Sequence, residues 1–312
     1  MPNSDDAVAL ERAILRVLTG APADEAASAT HVTPTRLAEL AARYRSAGLA
    51  ALPPERTVGW QQVHIEFANY PSAEADFRAL LLPTLRDGPI GAWWFVRKHP
   101  CWRLRLRPAG GAHAISHVSA ALDRAVARGG VRRWWTSPYE PETTAFGGPL
   151  GMELTHALFH ADSLGVLDYH RGTVPLRPTE TSLLVVTALL RAAGLEWGEQ
   201  GDVWARVAAS RPTAADLRQA RVAHAVPALR RLLALDIDAL IDDGPLTPLR
   251  PWFTDVRTNG QDLGNAARAG RLQLGLRSVL ARHVLFHWNR MGLPTARQAA
   301  TARAAREAVL GR

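Results

Sequence analysis

Cysteine is almost absent: Cys101 is the only one in 312 residues, so no intramolecular disulfide can form and no cysteine-based metal motif exists. Lysine is as scarce. Lys98 stands alone among 37 basic side chains, and arginine therefore supplies the net charge of +8. With abundant Ala, Gly and Pro, that bias reflects high-GC coding as much as chemistry. No apolar run approaches the roughly 20 residues needed to span a bilayer. The N-terminal stretch MPNSDDAVALER is polar and acidic where a secretory signal would be basic and then apolar. These absences exclude a disulfide-stapled fold and lead to the expectation of a protein of the reducing cytosol, with no membrane partner, metal or other cofactor.

Apolar residues make up 47% of the chain and charged ones 21%, enough to bury a sizeable core. Residues 1–52 read as a helical cap. Ala7, Leu10, Ile14, Leu15 and Leu18 follow a helical period, and a second amphipathic stretch runs from Thr35 to about Leu49, with Thr33 as its N-cap and Pro34 at the first helical position. Such a hairpin can be a helix-turn-helix. Its second helix would expose Arg36, Glu39, Arg43 and Arg45, a mixed set, so nucleic acid is not the expected partner. ALPPERTVG, residues 51–59, reads as a linker, and a second domain is expected over 57–312.

WQQVHIEFANYP alternates Val63, Ile65 and Phe67 with Gln62, His64 and Glu66, the pattern of a strand with one face in the core. GAWWFVRK and CWRLRLRP are further strands joined hairpin-fashion at Pro100, and VRRWWTSPYEP is a fourth. SAEADFRALLLPTLRDG, capped by Ser72, and ISHVSAALDRAVARGG read as helices between them. From Thr179 onward the periodicity is helical. The fold class expected is α+β: a helical N-terminal hairpin, an antiparallel or mixed sheet with helices on one face, and a helical C-terminal half.

In CWRLRLRP, alternation puts Trp102, Leu104 and Leu106 on one face and Arg103, Arg105 and Arg107 on the other, their guanidinium groups roughly 7 Å apart. Like charges so arranged repel, which calls for compensation. An anionic ligand is one source, since the guanidinium fork takes carboxylate or phosphate bidentately. Ion pairs with Glu66, Glu140 or Glu142 are the other. Near the C-terminus His283, His287 and Arg290 share a helical stripe with Leu276 and Leu280. A histidine there can serve as base or acid at neutral pH, or be a buried, hydrogen-bonded structural residue. FGGPLG opens a helix and can present backbone amides to an anion. In that helix His156 and His160, with Glu153 nearby, have a zinc-compatible spacing but no partner motif, and Leu154, Leu158 and Phe159 point to packing. Paired tryptophans, Trp93–Trp94 and Trp134–Trp135, should send one ring to each face of the sheet.

Several of these segments, YPSAEADFRALLLPTLRDG, WWFVRKHPCWRLRLRP, WWTSPYEPETTAFGGPLGMELTHALFHADS, LLRAAGLEWGEQGDVW and VLARHVLFHWNRMGL, carry a resemblance. In collinear order over residues 57 to 310 they resemble the thiopeptide-type bacteriocin biosynthesis proteins. Relatives of those are the C-terminal elimination domains of lantibiotic dehydratases and the thiopeptide pyridine synthases. The resemblance implies an enzyme that eliminates glutamate from glutamylated Ser or Thr of a precursor peptide. It implies roles for Arg105 and Arg107, with Arg103 adjacent, and for His287 or His283 near Asn289 and Arg290. Arg103, Arg290, Tyr139, Glu140 and His64 are the expected substrate contacts.

The partners implied are a precursor peptide with its leader and a separate glutamylating dehydratase. In the long dehydratases an arginine stands in a Tyr-Glu-Arg-Glu segment; here Pro141 takes its place, removing one cation expected to grip glutamate. The pyridine synthases, which join two dehydroalanines in a formal aza-[4+2] cycloaddition and release the leader, have no glutamate to hold. That reading therefore stands as the alternative, with a catalytically silent leader-binding partner as a third.

Overall fold

The computed structural model describes residues 4–51, 59–109, 113–172, 174–211 and 219–311. The chain divides into two compact units, residues 1–58 and 59–312. Most of the linker expected over residues 51–59 lies outside the described residues.

The first unit contains α1 (Ser4–Leu18), α2 (Ala23–Ala27) and α3 (Pro34–Ala51). Thr33 caps α3 as anticipated, its Oγ1 accepting from Arg36 N at 3.3 Å, and Pro34 needs no hydrogen-bond partner at the first helical position. Where the sequence suggested a two-helix hairpin, α2 fills the connection. Its Ala26 and Ala27 join Ala13, Ile14, Leu37 and Ala41 in a small core, while Leu15 is exposed.

The second unit opens with β1 (Gln61–Phe67), α4 (Ala73–Leu80), α5 (Leu82–Asp87), β2 (Ile90–Lys98), β3 (Cys101–Pro108), α6 (His113–Ala127) and β4 (Val131–Ser137). It continues with α7 (Gly148–Arg171), α8 (Pro178–Ala192), α9 (Trp197–Ala209), α10 (Gln219–Ala234), α11 (Ile237–Asp242), α12 (Arg250–Arg268), α13 (Leu276–Arg290) and α14 (Thr295–Leu310). The helix expected over 72–88 breaks at Leu81 because Pro83, in the first turn of α5, cannot donate to a continuing helix and disfavours helical geometry just before it. Among the described residues no helix is long and apolar enough to cross a membrane.

The strands form one sheet in the order β2-β3-β1-β4, antiparallel throughout. Val63, Ile65, Phe67, Trp93, Phe95, Trp102, Leu104 and Leu106 are buried on one face. Phe77 of α4 packs its ring against Trp93, Phe95 and Trp102, and burying each such side chain stabilises by about 1.5–3 kcal/mol. Helices are not confined to that face. The outer edge of β2 is covered by α7: His160 Nδ1 lies 3.2 Å from Trp93 N and 2.8 Å from its carbonyl oxygen, and Ser163 Oγ accepts from Phe95 N at 3.3 Å. Trp94, pointing away from Phe77, meets Phe159 of α7 and Phe286 of α13. The second face is thus roofed beside β2 and open over β1 and β4, where His64 and Ser137 are half-buried and Trp135 is exposed.

Close approach of α7 and α12 depends on Gly165. A Cβ there would lie 2.0 Å from the ring of Trp252, whose Nε1 donates to Asp162 at 3.1 Å. Gly165→Ala is expected to destabilise by at least about 1–3 kcal/mol, overriding the roughly 1 kcal/mol that alanine gains in helix propensity. Gly198→Ala, with nothing within 4 Å of its Cβ, should be neutral or slightly stabilising in the same urea titration. Equal midpoints for the two variants would refute the steric argument.

Candidate active site

Sheet register assembles the site. Cα partners across all four strands form one lateral row of Val96, Arg103, His64 and Trp135, and a second of Trp94, Arg105, Gln62 and Ser137. Every side chain in both rows lies on the face opposite Phe77. The two rows gather Arg103 and Arg105 of β3, Gln62 and His64 of β1 and one ring of each tryptophan pair.

Arg105 is the centre. It is only 9% exposed, its guanidinium lies 4.3 Å from the Trp94 ring and 5.5 Å from that of Tyr139, and its Nε donates to Gln62 Oε1 at 2.8 Å. Burial lowers its pKa to about 10, so it stays cationic at neutral pH. Its Nη1 and the neighbouring Trp94 Nε1 are both buried without a hydrogen-bond partner among the described residues, an arrangement that costs free energy unless a ligand or solvent fills it.

Beside Arg105 stands an aromatic wall. Tyr139 Oη lies 2.8 Å from His156 Nε2, and His156 stacks on Trp60 with centroids 4.4 Å apart. Burial, with Arg107 and Arg105 nearby, holds the His156 pKa down to about 4, which leaves a neutral ring able to accept from the phenol. Burial pushes the Tyr139 pKa up. Arg107, exposed, sits 5.6 Å from the Trp60 ring. On the other side of Arg105, half-buried His64 stacks flat on Trp135 at 5.0 Å and 4°, and its Nε2 lies 3.0 Å from Ser137 Oγ. Its pKa is lowered by burial and then by Arg103 and Arg105.

The ion pairs anticipated for the arginine row are made elsewhere. Glu66 pairs with Arg133 at 2.7 Å and with Arg132 at 3.7 Å, and Glu142 with Arg282 at 3.8 Å, while Glu140 is exposed. Aromatic faces, which the sequence reading did not weigh, help to offset the repulsion among the arginines instead.

His283, His287 and Arg290 come together, but in the interior. They are 2%, 5% and 1% exposed. His287 Nδ1 donates to Asp162 at 2.9 Å, Ser182 Oγ lies 2.9 Å from its Nε2, and Arg290 Nε donates to Asp162 at 2.6 Å. His283 Nε2 lies 3.2 Å from Thr155 Oγ1, and burial holds its pKa down to about 3. The Ser182–His287–Asp162 connectivity is that of a hydrolase triad. Yet Ser182 is fully buried, and the adjoining cavity, lined by Asp162, His283, His287 and Arg290, has a volume of only ≈ 20 Å³. That holds about one water and no peptide. The arrangement corresponds to the structural alternative weighed for this stripe. It ties α7, α8, α12 and α13 together.

The two glycine amides of the loop before α7 are already engaged. Gly147 and Gly148 enter α7 with φ of 85° and 93°, and their N–H groups donate to Thr144 and Thr143 carbonyls. His156 and His160 have the separate partners already described. Among the described residues no three His, Cys, Asp or Glu side chains gather as a metal group.

Asp162 and Gln62 were not anticipated as site residues. Asp162 was detectable as a carboxylate on the apolar stripe of Leu158 and Phe159. Gln62 had no distinguishing signal, since its role depends on cross-strand register.

The neighbouring folds agree with this architecture. The tRNA-dependent lantibiotic dehydratase MibB from Microbispora sp. 107891 is 20% identical with a TM-score of 0.57, over 83% of this chain and 28% of that one. This chain therefore spans little more than a quarter of MibB. TsrL is 16% identical with a TM-score of 0.56, over 80% of this chain and 93% of that one. TbtD, a pyridine synthase from thiomuracin biosynthesis, has the same identity and score, over 80% of this chain and 97% of that one. No curated protein sequence matches. Residues 60–309, which hold the sheet, both arginine rows and the Asp162 cluster, match the family described as lantibiotic biosynthesis dehydratase C-term, and the chain belongs to that family.

Proposed function

We propose that the protein tailors ribosomally made peptides, using its arginine face to expel glutamate from a glutamylated serine or threonine and leave a dehydroamino acid. The observation that carries this reading is Arg105, a buried cation fixed by Trp94 and Gln62 with Nη1 unspent beneath an open sheet face. Loss of the Cα proton builds negative charge on the peptide carbonyl, and loss of the ester builds it on the departing carboxylate. A cation that needs no reorganisation stabilises both. Arg103 and Arg107 flank it at strand spacing, and half-buried Tyr139 offers apolar surface to the peptide. The substrate would be a precursor peptide with its leader, glutamylated by a separate enzyme.

Cycloaddition of two dehydroalanines is the second reading. It is favoured by the match to 97% of the length of TbtD, a pyridine synthase, and by Pro141 at the position of the glutamate-gripping arginine. Mass spectrometry of a glutamylated precursor and of its dehydroalanine-containing counterpart, each incubated with the purified protein, separates the two. Loss of glutamate from the first is the expected result. Leader release with a pyridine macrocycle from the second would replace elimination by cycloaddition, and no change in either would leave a silent peptide-binding partner.

A further inference from the structure

We infer that His64, set by Gln62 and paired with Ser137, is the group that takes the Cα proton on the arginine face; this rests on the elimination reading above. Arg105 orients the group. Its Nε donates to Gln62 Oε1 at 2.8 Å, which fixes the orientation of the Gln62 amide. The Gln62 NH2 group then points to Ser137 Oγ at 2.8 Å and to His64 Nε2 at 3.2 Å. A donor facing Nε2 requires a lone pair there and puts the ring proton on Nδ1. Stacking on Trp135 holds the ring plane. One anchored cation thus sets the basic nitrogen of the histidine in the neighbouring lateral row.

The other histidines near the arginines are closed off. His156 is buried, with Nε2 taken by Tyr139, and His283 and His287 lie in the interior. His64 is half-buried on the open face. The charged groups around it are Arg103 and Arg105 on β3, Glu66 next along β1, and Arg133 on β4, whose guanidinium lies 5.2 Å from the Trp135 ring. Burial and the arginines keep the imidazole unprotonated at neutral pH, as a base must be.

In the step itself, the Cα–H bond breaks and its electron pair becomes the enolate beside Arg105. His64 Nε2 accepts the proton, while Ser137 Oγ, 3.0 Å from that nitrogen, helps to hold the imidazole in place. The enolate then collapses, the Cβ–O bond breaks, and glutamate leaves as a carboxylate. His64 returns its proton to solvent.

The test is glutamate release from a glutamylated precursor by the full-length protein, followed from pH 5 to 8. His64→Gln should slow kcat by at least ~100-fold with KM changed by less than about threefold, and Ser137→Ala by about 10-fold. Wild type should lose activity below the ordinary histidine value of 6.5, and His64→Gln should lack that acid limb. Added imidazole should restore part of the activity of His64→Ala. A folded His64→Gln protein that keeps its rate within about threefold and retains the limb overturns the assignment of the base alone. A wild-type protein that releases no glutamate overturns the elimination reading and this assignment together.

Discussion

Arg105→Ala is expected to reduce kcat/KM for glutamate elimination by about 10³-fold, or roughly 4 kcal/mol of transition-state stabilisation. The size follows from where the guanidinium sits. It is stacked on Trp94, held by Gln62 and shielded from solvent, so its field on a developing enolate is screened far less than that of a surface charge. Arg105→Lys should recover less than about tenfold of the loss, because an ammonium keeps the charge but neither stacks as a plane nor reaches Gln62 and substrate with a fork. Arg107→Ala, at an exposed position, should cost about tenfold. Truncating Arg105 leaves Gln62 Oε1 without its donor and is expected to cost about 1–3 kcal/mol of stability as well, so rates are compared where both proteins are folded by circular dichroism. An Arg105→Ala rate within about threefold of wild type, under roughly 0.7 kcal/mol, would remove the arginine face from the chemistry.

Asp162→Ala should be the most damaging single change to the fold, lowering the free energy of unfolding by about 3–5 kcal/mol. Its carboxylate accepts from Arg290, His287 and Trp252, and removing it strands a guanidinium that is 1% exposed. Burial alone would raise the Asp162 pKa, but His287 and then Arg290 hold it well below the usual carboxylate range. A carboxylate whose pKa is depressed by folding contributes stability that is complete above its unfolded value of 3.8 and is lost as pH falls towards its folded one. Urea midpoints of wild type should therefore drop below about pH 4, and those of Asp162→Ala should drop less. Replacing Asp162 and Arg290 together by leucine and methionine should recover much of the loss. A single mutant as stable as wild type would show that the cluster does not hold the helices.

Much of the fold was legible because it is local. Alternation in 61–67 and 101–108 gave both strands and the faces on which Val63 and Arg105 lie, and Thr33 with Pro34 marked the start of α3. Pairing was not legible. β1 is first in the chain yet lies between β3 and β4, and no spacing in the sequence reports that His64 will stand beside Arg103. The arginine row was legible as a row, and an anionic ligand or carboxylates were the two sources of compensation considered; the rings were not, because cation–aromatic contacts depend on tertiary approach by Trp60 and Tyr139. The α13 stripe was visible at i, i+4 and i+7. Its depth was not, since periodicity identifies a shared face without saying whether another helix covers it.

The lateral rows tie chemistry to folding in a further way. A strand that slipped by one residue would carry Val63 and Ile65 to the open face and drive Gln62 and His64 into the packed one. A sheet misaligned by one residue could not stay folded while presenting a faulty centre, because that shift would spoil both faces. Molecules that reach the native register therefore arrive with Arg105, Gln62 and His64 already side by side.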